Sequence, residues 1–199
     1  MAQPPAAGRG PDGPAAPAWE DLEAATRLLG DDLLASCAGP GEPTLVVSAV
    51  RLAELARFLR DQRGFQLLRS VTAVDYYPAE PRFQLVAHFT ALAPALLHGL
   101  PASPDGPSAR LLRVKVPLPG AQPVVDSLVD VYPTADWHER EVYDMFGIEF
   151  AGHPDLRRIL LPDGYHGHPL RKDHPLRYEE VAFSHNRERV HGSKPRAER

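Results

Sequence analysis

Residues 44–64 read TLVVSAVRLAELARFLRDQRG, and inside that stretch the hydrophobic period changes from strand-like to helical. Thr44–Val50 is a short run rich in β-branched residues that follows a Gly/Pro turn, which predicts a strand. From Arg51 onward Leu52, Leu55, Ala56 and Leu59 recur at helical spacing, so one helical face collects them. Gly64 ends that helix, because glycine enters the left-handed conformation without steric cost. A strand followed directly by an amphipathic helix is the unit on which the rest of the chain is placed.

Towards the C-terminus, strands are expected at about Leu67–Tyr76, Phe83–Thr90 and Arg110–Leu118. The stretch between the last two, residues 93–109, belongs to a run whose four prolines forbid a regular element through most of it, so it is expected to be a surface loop or a short helical excursion. Val124–Val131 predicts a short helix that stops before Pro133. Thr134 then stands as N-cap of a second helix, with Asp136 in its first turn and Gly147 as the left-handed residue after its end. Towards the N-terminus, Leu22, Ala25, Leu28, Leu29, Leu33 and Leu34 approximate one face of a helix from Trp19 to about Ala35, with Gly30 as a point of interruption. The fold class is α+β: a small mixed β-sheet packed with helices, followed by an extended proline-rich C-terminal docking segment. The expected organisation is a disordered segment over 1–17, a globular domain over 18–150, and the docking segment with its tail over 151–199.

Bulk properties bound the function. At 199 residues and 43% hydrophobic, the chain can bury one core but not two. No run approaches the roughly 20 apolar residues that cross a bilayer. The Ala/Pro/Gly-rich start lacks the apolar core of a secretory signal, so a cytoplasmic location is expected. The single cysteine, Cys37, forms no internal disulfide and cannot supply the four thiolates of an iron–sulfur cluster, so any redox cofactor belongs to a partner. Gly8, Gly10 and Gly13 satisfy G-x-G-x-x-G, but no strand precedes them, and a dinucleotide site needs that context. Residues 1–150 hold 12 Lys/Arg against 19 Asp/Glu, whereas 151–199 hold 10 against 7, so the C-terminal part is the basic one. Its acids are mixed with its bases and no aromatics are interleaved, which argues against nucleic acid.

Two stretches carry candidate chemistry. In the helix before Gly147, Trp137, Arg140, Glu141 and Asp144 share one side, while Val142, Met145 and Phe146 share another that faces a core. Glu141 with Asp144 would suit acid–base chemistry if burial separated their pKa values. The alternative is a network of ion pairs with Arg140 and with Arg157 or Arg158. The lack of a nearby nucleophile motif, metal set or glycine-rich loop favours the second. After Gly147 the prolines at 154, 162, 169 and 175 and the glycines at 152, 164 and 167 leave room for only one helical turn, Asp155–Leu160. The remainder runs as extended chain yet keeps Ile159, Leu160, Leu161 and Leu170, which are costly to leave in water. Such a strap, bearing Arg157, Arg158, Arg171 and Lys172, suits a partner surface, because proline lowers the entropy lost on docking. His166 and His168, with Asp173 and His174 close behind, offer zinc-ligand types; no thiolate joins them, and interfacial hydrogen bonds or simple solvation are the other readings.

Glu139-Arg140-Glu141, Asp144, Met145-Phe146, His153, Arg157 and Ile159-Leu160, continued by Pro169-Leu170-Arg171-Lys172-Asp173, resemble the signature of one family. It is the 30-kilodalton, or C-type, subunit of the proton-translocating NADH–quinone oxidoreductase, respiratory complex I. The resemblance is strongest over Arg110–Pro175, weaker over Thr44–Thr90 and absent from residues 1–17. It implies a place in the peripheral arm at the cytoplasmic face of the inner membrane, beside the quinone-site (D-type) subunit and the cluster-bearing (B-type) subunit. The FMN and iron–sulfur clusters would be held by partners, and this chain would have no cofactor and no catalytic residue of its own. Trp137, Arg140, Glu141, Asp144, His153, Arg157, Arg158, Pro169, Leu170, Arg171, Lys172 and Asp173 are then expected to serve docking. A ferredoxin-dependent NDH-type complex uses a similar subunit and is the nearest alternative.

Overall fold

A computed structural model of the chain describes residues 16–38, 42–92, 109–162 and 164–175. The expectations for residues 1–15, for the 93–109 loop other than its last residue and for the tail after 175 lie outside these. Helix α1 spans Ala16–Leu29, two residues into the segment expected to be disordered. It does not continue to Ala35. Gly30 adopts φ 53°, a 3-10 turn follows over Gly30–Asp32, and Leu33–Cys37 forms strand β1. The leucines at 33 and 34 continue the helical spacing of the sequence, but antiparallel pairing with β2 (Thr44–Val47) claims their backbone.

Helix α2, Leu52–Arg63, buries Leu52, Ala53, Leu55, Ala56 and Leu59 on the face that the spacing selects. It closes at Gly64 with φ 72°, where Phe65 N–H donates to the Leu59 carbonyl at 2.9 Å. Strands β3 (Leu67–Asp75), β4 (Phe83–Ala91) and β5 (Arg110–Leu118) complete a five-stranded sheet of order β1-β2-β5-β4-β3. The β2/β5 pair is parallel and the others are antiparallel. Alternation sends Leu85, Ala87 and Phe89 of β4 and Leu112, Val114 and Val116 of β5 into one core with the inner faces of the helices. Arg113, Lys115, His88, Ser70 and Thr72, at the alternate positions, are at most half-buried on the opposite face.

Val124–Val131 is not helical. Val124–Asp126 forms strand β6, followed by turns, because it pairs in parallel with β7 (Glu149–Ala151), a partner invisible to local spacing. Helix α3, Ala135–Phe146, connects these two strands and packs along β3. Thr134 makes no side-chain cap. Its hydroxyl donates instead to the Leu68 carbonyl at 3.3 Å, tying the start of α3 to the β3 edge. Gly147 is left-handed at φ 70°, as its position after the helix predicts. Beyond β7 the described residues contain turns and extended chain only, and no helical turn forms over Asp155–Leu160.

Candidate functional site

The strap lies on the C-terminal half of α3, and one carboxylate organises the contact. Asp144 is fully buried. Its Oδ2 accepts the successive backbone N–H groups of Ile159, Leu160 and Leu161 at 3.1, 2.8 and 3.0 Å. Its Oδ1 accepts Arg158 Nη1 at 2.8 Å. A carboxylate satisfied by three amides of consecutive residues holds them out of a helix, which is why the expected turn at 155–160 does not form. Burial works to raise the Asp144 pKa, but the N–H groups of Leu161 and Leu160, Arg158 and the Ile159 N–H outweigh it and hold the carboxyl ionised.

The end of α3 leaves carbonyls that the helix cannot satisfy. The strap supplies the donors. His168 Nδ1 lies 3.0 Å from the Asp144 carbonyl, so that nitrogen carries the proton. Leu170 N–H donates to the Met145 carbonyl at 3.1 Å, and Arg171 donates to the Phe146 and Gly147 carbonyls. Arg158 and Arg171 thus bring positive charge to the negative end of the helix dipole. A Cβ at position 147 would come within 2.5 Å of both Arg171 Nη2 and His168 Nε2, so the residue is glycine for its φ and for this crossing.

A second clamp ties the strap to the β3–β4 hairpin. Arg82 donates through Nε and Nη2 to Asp75 at 3.0 and 2.9 Å, and through both Nη groups to Asp173 at 3.0 and 2.6 Å. Asp75 also accepts Lys172 N–H at 2.8 Å and Tyr77 N–H at 2.8 Å. Burial acts to raise the Asp75 pKa, but Arg82 and these two amides bring it down to about 2. Asp75 and Arg82 belong to no motif that the sequence displays. The available signal was that Asp75 shares the inward parity of Val71 and Ala73, where an acid needs a partner.

Glu139 stands out in the sequence only as part of the family signature. It is fully buried; Oε1 accepts Leu128 N–H at 2.7 Å, and Oε2 lies 2.6 Å from Ser127 Oγ. Burial pushes its carboxyl up to about 7, against the hydrogen bonds from Ser127 and Leu128 and with a small addition from Asp136.

The remaining expected residues divide. Glu141 is exposed and, among the described residues, forms no ion pair, so the Glu141/Asp144 acid–base couple is not assembled. The expected ion pair with an arginine forms at Asp144–Arg158, whereas Arg157 pairs with Asp155 at 2.8 Å and Arg140 joins neither. His153 has no exposed side-chain surface; it accepts Asp155 N–H at Nδ1 and reaches the Asp136 carbonyl through Nε2. His166 is exposed, while His168 is engaged on the helix end and His174 stacks on Tyr165, so the His-x-His pair is split between different tasks. Among the described residues no three potential metal ligands gather. Trp137, Leu160 and Leu170 are 64%, 61% and 53% exposed, Lys172 is exposed and Pro169 half-buried. Cys37 is exposed on β1. No helix among the described residues is long and apolar enough to cross a membrane.

Fold and site together define an α+β domain with a mixed five-stranded sheet, to which buried carboxylates fasten an extended strap. Residues 45–180 match the family model described as the respiratory-chain NADH dehydrogenase 30 Kd subunit, and the chain belongs to that family. It is similar to the C-type subunit of NADH-quinone oxidoreductase from Herpetosiphon aurantiacus, 41% identical over 78% of this chain and 84% of the relative. The subunits of the same name from Roseiflexus sp. strain RS-1 and Rhodobacter capsulatus are 40% and 42% identical, covering 87% and 75% of this chain and 93% and 72% of theirs. A trypsin-resistant fragment of Nqo5 superposes with a TM-score of 0.53 at 31% identity, over 70% of this chain and 99% of the fragment. A chain of the archaeal membrane-bound sulfane sulfur reductase shares the fold, with a TM-score of 0.63 at 22% identity over 79% of this chain and 85% of that one.

Proposed function

We propose that the chain is a non-catalytic structural and assembly subunit of the peripheral arm of an NADH-quinone oxidoreductase. That enzyme passes electrons from NADH through FMN and iron–sulfur clusters to quinone and couples the transfer to proton translocation. In this reading the redox groups sit in other subunits, and residues 151–199 dock chiefly on the quinone-site (D-type) and cluster-bearing (B-type) subunits. The chain then reaches the cytoplasmic face of the inner membrane through those partners alone.

One observation carries the reading. The strap is fastened from its inner side by Asp144, Asp75 and the carbonyls of α3, while Trp137, Leu160 and Leu170 keep more than half of their surface outside. Apolar side chains presented from a backbone that is already ordered lose little entropy on docking. The buried acids face the chain's own amides, hydroxyls and arginines, which suits support better than proton transfer. The test is a native pull-down of the tagged chain from membranes of cells that make the whole complex. The expected result is recovery with the other arm subunits and quinone reductase activity. Recovery solely as a free monomer would overturn the proposal.

A further inference from the structure

Arg140 is the one buried arginine or lysine among the described residues, with 6% of its surface exposed. The buried acids Asp21, Asp75 and Asp144 each pair with an arginine. Arg140 pairs with no carboxylate of the described residues. Its Nε makes one long bond, 3.3 Å, to the Arg157 carbonyl, and its Cζ lies 5.0 Å from the centre of the Trp137 ring. Its stem is buried and neither Nη has a hydrogen bond among the described residues, so the planar fork is left for an outside acceptor, and that fork matches a carboxylate bidentately. The Trp137 ring that covers it is itself mostly exposed. Leu160, also exposed, is fastened through its N–H to Asp144, one helical turn beyond Arg140.

We propose that Trp137 and Arg140 form a receptor for a single carboxylate carried on an otherwise apolar segment of a neighbouring subunit. The inference rests on the reading of the chain as a subunit of an enzyme complex and specifies the chemistry of the partner. Tryptophan and arginine are the residue types that dominate binding energy at the centres of interfaces, where a surrounding contact excludes water. The acids nearby set the limit on charge. Glu141 is exposed beside Arg140, and Asp155 takes up the Arg157 guanidinium, so a polyanion such as nucleic acid would meet repulsion where one Asp or Glu flanked by aliphatic side chains would not. Trp137 supplies an apolar platform beside the bound carboxylate.

The test uses the assembled complex in membranes, with Trp137 replaced by the photo-crosslinker benzoylphenylalanine and Arg140 left intact, so that it does not depend on an arginine variant folding. The expected product joins position 137 to a peptide of another subunit that carries an Asp or Glu beside the attachment point. Arg140→Gln, and the amide of that acid, should each speed loss of this chain from the complex in a salt wash by at least about tenfold. The double variant should be no worse than either single one. Arg140→Lys should retain part of the attachment. A crosslink to residues 176–199 of this chain, a crosslink to a segment without an acid, no crosslink at all, or fully additive losses would each overturn the proposal while leaving the subunit assignment standing. A chain absent from the purified complex would overturn both.

Discussion

The sheet domain and the strap are neighbours held by opposite kinds of force. The domain rests on apolar burial: Phe65, Phe83, Phe89 and a layer of leucines from β2, α2, β3, β4 and β5 are almost wholly withdrawn from water. The strap contributes little to that core, with Leu156 packed against it, while Leu160 and Leu170 face outward. Its hold is polar and concentrated in Asp144, Asp75 and the carbonyls at the end of α3. Many weak contacts share a load, and few buried carboxylates do not. The strap should therefore be releasable by a single atom change that leaves the domain folded.

The largest expected effect lies in the domain. Phe89→Ala, which empties a site packed against Tyr132 with ring centres 5.5 Å apart, should cost about 3–5 kcal/mol and lower the thermal midpoint of the whole chain. A loss confined to the strap would break the contrast. Asp144→Asn comes next, at about 3 kcal/mol, because it strands Arg158 and turns an amide group towards backbone donors. Its signature is local: amide exchange at residues 159–161 and tryptic cleavage after Arg157 and Arg158 should rise while the sheet amides stay protected. Cooperative loss of both regions would show that the strap is part of the core.

Acidity should sharpen the comparison, since the two regions titrate in opposite directions. Glu139 is raised from 4.5 to about 7 by burial in the folded domain, so the folded chain keeps a proton that the unfolded chain has lost between those values. Its stabilisation is present at low pH and disappears as pH rises through about 7, a change of about 3 kcal/mol. Glu139→Gln has no proton to lose, and its urea midpoint should change less than the parent's between about pH 5 and about pH 8. An equal decline in both would remove Glu139 as the cause. Asp75 is lowered from 3.8 to about 2, so its hold on the strap is complete above the first value and fades as pH falls towards the second. The Lys172 amide should report that release. The smallest effect is Glu141→Gln: an exposed side chain, unpaired among the described residues, should change the chain's stability by no more than about 0.5 kcal/mol.

The sequence by itself determined what depends on neighbours along the chain. Apolar spacing placed α2, four of the sheet's five strands and the inward face of Val142 and Phe146, because period and burial are local properties that any packed form must respect. Gly64 and Gly147 marked helix ends for the same reason. Prolines placed the strap in extended chain. Tertiary structure decided what depends on distant partners. Leu33 and Leu34 became strand once β2 lay beside them, and Val124–Asp126 became strand once β7 did. The tasks of the acids followed the same rule. Spacing put Glu141 and Asp144 on one side of a helix, and only the path of residues 158–161 buried one of them among donors and left the other in water. Arg82 gained its partner Asp173 from 91 residues away and Asp75 gained the Lys172 amide from 97, separations over which no local pattern carries information.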